Sequence, residues 1–123
     1  MSECIFCKLA QGKEIHVAET EHLFAVWDKF PASKGHAMII PKRHIVTMFE
    51  MSEDEGKEFP VILNKVKEAI ESRYENEKPK GYNVGSNNGL SAGQIVMHLH
   101  IHVLPRYNGG DGIQLLGNGE PKK

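Results

Sequence analysis

The 123-residue chain is poor in cysteine: Cys4 and Cys7 are its only two, too few for the disulfide framework of a small secreted domain. It also lacks an excess of either charge. Lys plus Arg total 15 against 16 Asp plus Glu, a formal net charge of -1, so no basic stripe points to nucleic acid or an anionic membrane. Any nucleotide partner is expected to be held locally, in a pocket. No apolar run approaches the roughly 20 residues of a membrane-spanning helix. The opening "MSECIFCKLAQGKE" has no basic start followed by a long apolar stretch, so a cytoplasmic location is expected. Internal repeats, low-complexity blocks and domain boundaries are missing too. Residues 1–123 are therefore expected to form one domain, with a Gly-rich, charged tail, about 108–123, that is partly mobile.

What the chain does hold reads as strands and one long helix. "HLFAVWD" (22–28) and "HAMIIPK" (36–42) have the apolar, branched and aromatic content of strands, and "DKFPASKG" between them has the Pro and Gly of a turn. They are expected to pair antiparallel. Ser52 with Glu55 three residues later fits a capping box, and Phe59, Ile62, Val66, Ala69 and Ile70 then recur at helical spacing as far as Tyr74. Pro60 costs a helix least in its first turns, and elsewhere marks a kink. "GYNVGSN" (81–87) reads as a further strand, "NGLSAG" as a loop, and residues 94–104 as a last strand. Strands and one helix intermixed, with hairpin-length connections, predict an antiparallel α+β domain.

That last strand carries "HLHIHVL", with His98, His100 and His102 at every second position. Alternation along a strand sends the three rings to one face and Met97, Leu99, Ile101 and Val103 to the other, an apolar face expected to pack on the helix. Neighbouring histidines in this register have Cα atoms about 6.5–7 Å apart and the outer pair about 13 Å, so two can share a metal and three hardly can. Three readings stand: a polar strand face, an H-x-H contribution to a catalytic zinc, or an imidazole nucleophile positioned by its neighbours. Histidine suits attack on phosphorus because its neutral form is available near pH 7. The preceding "NVGSNNGLSAGQ" can turn sharply and offer N–H groups to an anion, though it is no Walker loop. Beside three histidines it favours a phosphate.

Cys4-x-x-Cys7 by itself reads as a redox pair, half a zinc site, or accident. A redox pair of the thioredoxin type follows a strand, and only three residues precede Cys4. His16 and His22 lie in strand-like stretches and are expected to serve surface or strand-end packing.

"HLHIHVL" matches the His-φ-His-φ-His-φ-φ pattern, φ being apolar, and so resembles the histidine triad nucleotide hydrolase and transferase family. "CIFCKLAQGKE", "LFAVWD", "GHAMIIPKRH", "YNVGSNNG" and "AGQ" extend the resemblance over most of the chain. It implies a five-stranded antiparallel sheet with one long helix and a short N-terminal helix, in a homodimer. It implies that His100 attacks the α-phosphorus of a nucleotide, forming a nucleotidyl-histidine that water cleaves. His102 would touch phosphate oxygens and assist the leaving group. The His98 carbonyl would accept from the other ring nitrogen of His100, and His36 matches a fourth histidine beside the triad. Gln94, Asn87 and Gly93 match positions at the phosphate, and Asp28 matches the acid that binds the ribose hydroxyls.

Two positions depart from the pattern. Many phosphoramidate-hydrolysing members have Ser or Thr after the glutamine, and Ile95 here lacks that hydroxyl; Lys29 stands where many members place an apolar residue against the base. In a zinc-carrying subset the ligands correspond to Cys4, Cys7, His44 and His98. The resemblance thus implies one structural zinc per chain and none in the chemical step. It implies a purine nucleoside phosphoramidate as first substrate. A dinucleoside polyphosphate is the alternative, and a nucleotide-binding module with little turnover or an H-x-H zinc hydrolase are competing classes.

Overall fold

The computed structural model describes residues 4–12 and 16–108. Beyond residue 108 the tail lies outside the described residues. A short helix α1 (Ile5–Leu9) is followed by strands β1 (Ala18–Glu19), β2 (Leu23–Trp27) and β3 (Ala37–Pro41), helix α2 (Glu53–Arg73), and strands β4 (Gly81–Gly85) and β5 (Ile101–Arg106). The strands form one five-stranded sheet in the order β1-β2-β3-β5-β4, every neighbouring pair antiparallel. This is the α+β architecture expected, with β1 as an edge strand too short for a periodicity to reveal.

Both faces of the sheet are buried along β2 and β3, because their alternate residues feed two separate clusters. Leu23, Ala25, Ala37, Ile39, Ile101 and Val103 pack against Ile62, Val66 and Ile70 of α2. On the opposite face Phe24, Val26, Met38 and Ile40 pack with Phe6 of α1. The helix spacing of Ile62, Val66 and Ile70 therefore turns one stripe of α2 to the sheet, leaving the second face to α1 and the histidines.

The start of α2 follows the capping box. Ser52 Oγ accepts from the Glu55 N–H at 3.1 Å, and Glu55 Oε1 accepts from the Ser52 N–H at 2.8 Å. Burial of Glu55 works against its charge. The Ser52 N–H and the Arg43 guanidinium, which donates to both carboxylate oxygens, outweigh that and hold its pKa below the ordinary carboxylate value. Arg43 is thereby tied to the helix start, which places its neighbour His44. Pro60 is not in the first turn: it sits eight residues into α2, where it gives no N–H to the Gly56 carbonyl.

Glu58, one turn before Ile62, joins α2 to the β1–β2 turn by accepting from the Thr20 hydroxyl, the His22 N–H and the His22 ring. His22 is thus used in packing at a strand end, as expected. Burial would raise the Glu58 pKa, but these donors take it down to about 2, while the Glu58 bond raises that of His22. The depressed carboxyl adds stability above its ordinary value of 4.5 that is lost as pH falls towards about 2. The raised imidazole adds stability below 6.5 that is lost as pH climbs through its folded value. Glu58→Gln is therefore expected to lower Tm most between pH 4.5 and 6.5. Melts at about pH 3, 5.5 and 8 check this, and an equal deficit at all three would contradict it.

Two strand expectations need correction. The strand read over 81–87 ends at Gly85, and the strand read over 94–104 begins only at Ile101. Residues 96–98 form a bend and 97–100 have no sheet pairing; Leu99 N–H goes instead to the Ile45 carbonyl at 2.8 Å. Leu99, Ile101 and Val103 do enter the α2 core, but Met97 does not: it is exposed.

Candidate active site

His100 and His102 open onto a cavity of about 950 Å³ on the sheet face opposite α2. Its walls come from α1 (Ile5, Phe6, Leu9), the end of β2 with the turn after it, Met38 of β3, and the loop carrying Gln94, Ile95 and Val96. A mostly apolar pocket of this size with a few convergent polar groups suits a small organic ligand.

The hydrogen bonds fix which nitrogen of each ring carries its proton. His100 Nδ1 lies 2.9 Å from the His98 carbonyl, which can only accept, so Nδ1 holds the hydrogen and Nε2 keeps a free lone pair. His36 Nδ1 accepts from the Ala32 N–H at 3.0 Å. Its Nε2–H therefore donates to His102 Nδ1, 2.8 Å away, and His102 is left with Nε2–H as its outward donor. Asp28 closes this chain: one carboxylate oxygen is 3.4 Å from His36 Nε2, and the other accepts from the Phe30 N–H at 2.8 Å. Burial pushes His102 down to about 4, with His100 and His36 adding to the shift. His36 is also lowered by burial, against the pull of Asp28. Both shifts favour the uncharged ring, so at neutral pH His102 presents an N–H to the pocket beside His100.

The histidine at the head of the run has another destination. Buried His98 donates Nε2–H to the Pro41 carbonyl at 2.9 Å, which leaves its Nδ1 lone pair 3.2 Å from Cys4 Sγ and 3.5 Å from Cys7 Sγ. His44 Nδ1 is 3.3 Å from Cys7 Sγ. Zn–S and Zn–N bonds of about 2.3 and 2.05 Å in a tetrahedron put N and S about 3.5 Å apart, so these separations fit zinc. Two thiols this close disfavour ionisation without a cation, and the Cys4 hydrogen bond, with burial, pushes Cys7 up to about 11. The four ligand atoms lie within 4.8 Å of one another. Cys4 also caps α1, its sulfur accepting from the Cys7 N–H, so the cluster fixes the helix whose Phe6 ring lies 5.0 Å from that of His100.

Gly93 and Asn87 meet at the far wall. Gly93 has φ +94, a left-handed value that favours glycine, and a Cβ there would come 3.3 Å from Asn87 Nδ2. Asn87 donates to the Gly93 carbonyl. Gln94 is turned inward: Oε1 accepts from the Gly89 N–H, and the amide nitrogen donates to the Val46 and Val96 carbonyls. His16 packs at the edge of the sheet, stacked on Phe24 with Nε2 donating to the Leu9 carbonyl, and stays outside the cavity.

The structure thus brings together His36, His100, His102, Asp28, Asn87, Gly93 and Gln94 around one cavity, and Cys4, Cys7, His44 and His98 around a second point. Sequence reasoning missed the Asp28–His36–His102 chain as a chain, and Phe6 altogether. The "FC" inside C-x-x-C was the available signal for Phe6, an apolar residue between two cysteines.

A single antiparallel sheet, helix on one face and a histidine relay under a small-molecule pocket on the other, is the class of protein these features define. The chain belongs to the HIT family: the family model described as HIT domain matches residues 10–109. It is 40% identical over 120 residues to the adenosine 5′-monophosphoramidase hnt1 of Schizosaccharomyces pombe, covering 96% of this chain and 83% of that protein. A crystal structure of a HIT family member from Bacillus subtilis superposes with a TM-score of 0.75 at 39% identity, covering 91% of this chain and 79% of that one. A Zn-bound histidine triad family protein from Mycobacterium smegmatis superposes with a TM-score of 0.72 at 28% identity, over 89% of this chain and 78% of that one.

Proposed function

We propose that the protein hydrolyses nucleoside 5′-phosphate derivatives at the α-phosphorus through a nucleotidyl-His100 intermediate, with a purine nucleoside phosphoramidate as substrate. The observation that carries this is the His100 hydrogen bond: Nδ1 is bound to the His98 carbonyl in a residue that lines the pocket, which in the neutral ring leaves Nε2 for attack. The relative named as an adenosine 5′-monophosphoramidase supports the choice of substrate.

His100 Nε2 attacks phosphorus, the P–N bond breaks with its electron pair on nitrogen, and the nitrogen takes one proton from water to leave as the amine. The nucleotidyl ring keeps Nδ1–H on the His98 carbonyl, which stabilises the charge the ring then carries. Water attacks phosphorus next, releasing the nucleoside monophosphate and one proton and restoring the neutral imidazole. His102 gives Nε2–H to a phosphate oxygen, where charge accumulates in the transition state. Asp28 receives the ribose hydroxyls beside His36. Asn87 and Gly93 line the phosphate, and Gln94 shapes that wall by holding the loop to Val46.

Cys4, Cys7, His44 and His98 would hold a zinc ion in a structural role in this reading, leaving it no open position and fixing α1. A homodimer working in the cytoplasm completes the proposal. Purified protein is expected to convert adenosine 5′-phosphoramidate to AMP faster than diadenosine tetraphosphate, followed by chromatography of the products. Nucleotide binding without any turnover of either compound would refute the enzyme reading.

A further inference from the structure

Ile95 is 88% exposed and lines the same cavity as His100 and His102. Val96 continues the apolar wall. Just before it, the Gln94 amide has both donors engaged by the Val46 and Val96 carbonyls. Side-chain polarity on this wall is therefore low. The cavity's cationic lining among the described residues is Lys29, adjacent in sequence to Asp28. A polyphosphate leaving group brings several negative charges and is ordinarily met by Arg or Lys. An amine bearing a hydrocarbon chain needs no such partner and removes Ile95 from water.

We infer that Ile95 makes the leaving-group side an apolar wall that selects nucleoside 5′-phosphoramidates carrying an apolar amine substituent over small amines and over polyphosphates. This rests on the phosphoramidate reading above. The reaction balances as written there; the substituent changes only what lies against Ile95 while the P–N bond breaks.

The test measures kcat/KM of the full chain on adenosine 5′-phosphoramidate, its N-butyl derivative and diadenosine tetraphosphate. It does so for wild type, Ile95→Ser and Ile95→Val, with circular dichroism to check the fold of each variant. Burying two or so methylenes predicts a butyl-to-unsubstituted ratio about tenfold larger in wild type than in Ile95→Ser. Ile95→Val is expected to keep at least about a third of that preference. Comparing ratios between variants cancels the intrinsic difference in leaving ability of the two amines. The inference is overturned if Ile95→Ser leaves the ratio unchanged while phosphoramidates are turned over, or if wild type prefers the tetraphosphate. Absence of turnover on every phosphoramidate overturns both this inference and the function it rests on.

Discussion

His100→Ala is expected to lower kcat on adenosine 5′-phosphoramidate by about 10⁴-fold or more, the scale seen when a covalent nucleophile is removed from a preorganised site. The substitution takes away the only imidazole whose free lone pair is set by the His98 carbonyl. The other rings of the site cannot replace it: His36 Nδ1 and His102 Nδ1 are both engaged as acceptors, and His98 is turned to the cysteines. The ring is half-buried, packs on Phe6 and lies outside the α2 core. Far-ultraviolet dichroism and binding of AMP are therefore expected to persist, so that the loss falls on kcat. His102→Ala removes one donor and is expected to cost less, about 10²-fold. If His100→Ala retained wild-type turnover, or if both variants lost the same small factor, nucleophilic catalysis at His100 would be wrong.

How far the sequence foretold this site depends on whether a contact is local. The capping box needs only Ser52 and Glu55, three residues apart, and the structure contains it. The pairing of β2 with β3 follows from two apolar runs joined by a short turn, and it too is present in register. The histidine run misled in part because its two-residue alternation continues through residues 97–100, where the chain bends and leaves the sheet, and alternation alone does not mark where pairing begins. Nothing local reveals that Leu99 N–H bonds to Ile45 rather than to a neighbouring strand. The Asp28–His36–His102 chain escaped for the same reason: its last link joins residues 66 positions apart, and only the β3–β5 pairing, with Met38 opposite His102, brings them within reach. Gln94 shows a different limit. Its position before the triad was legible, but the inward turn of its amide is set by carbonyls at Val46 and Val96 and by the N–H of Gly89.

The cysteine cluster yields the second large effect. Protein purified under metal-replete conditions is expected to hold about one equivalent of zinc, and at a free zinc concentration 1,000 times Kd to be more stable than chelator-stripped protein by about 4 kcal/mol. Cys4→Ala is expected to abolish that difference by removing one of four ligands. The reason lies in what the ligands join: α1 through Cys4 and Cys7, the segment after β3 through His44, and the approach to β5 through His98. A cation held by all three ties elements that are far apart in the chain, and it acts on the folded state, where the four atoms are already gathered. Because Cys4, Cys7, His44 and His98 would fill the four positions of a zinc ion without substrate, brief exposure to chelator is expected to leave turnover intact until α1 loosens, with activity then falling in step with the loss of helix contacts. A zinc hydrolase using H-x-H predicts the opposite order, immediate loss of activity with the fold unchanged. Metal content, urea unfolding and a time course of activity after chelation separate the two. A zinc content below a tenth of an equivalent, or no stability difference between loaded and stripped protein, would remove the structural metal from this account while leaving the His100 chemistry to stand on its own geometry.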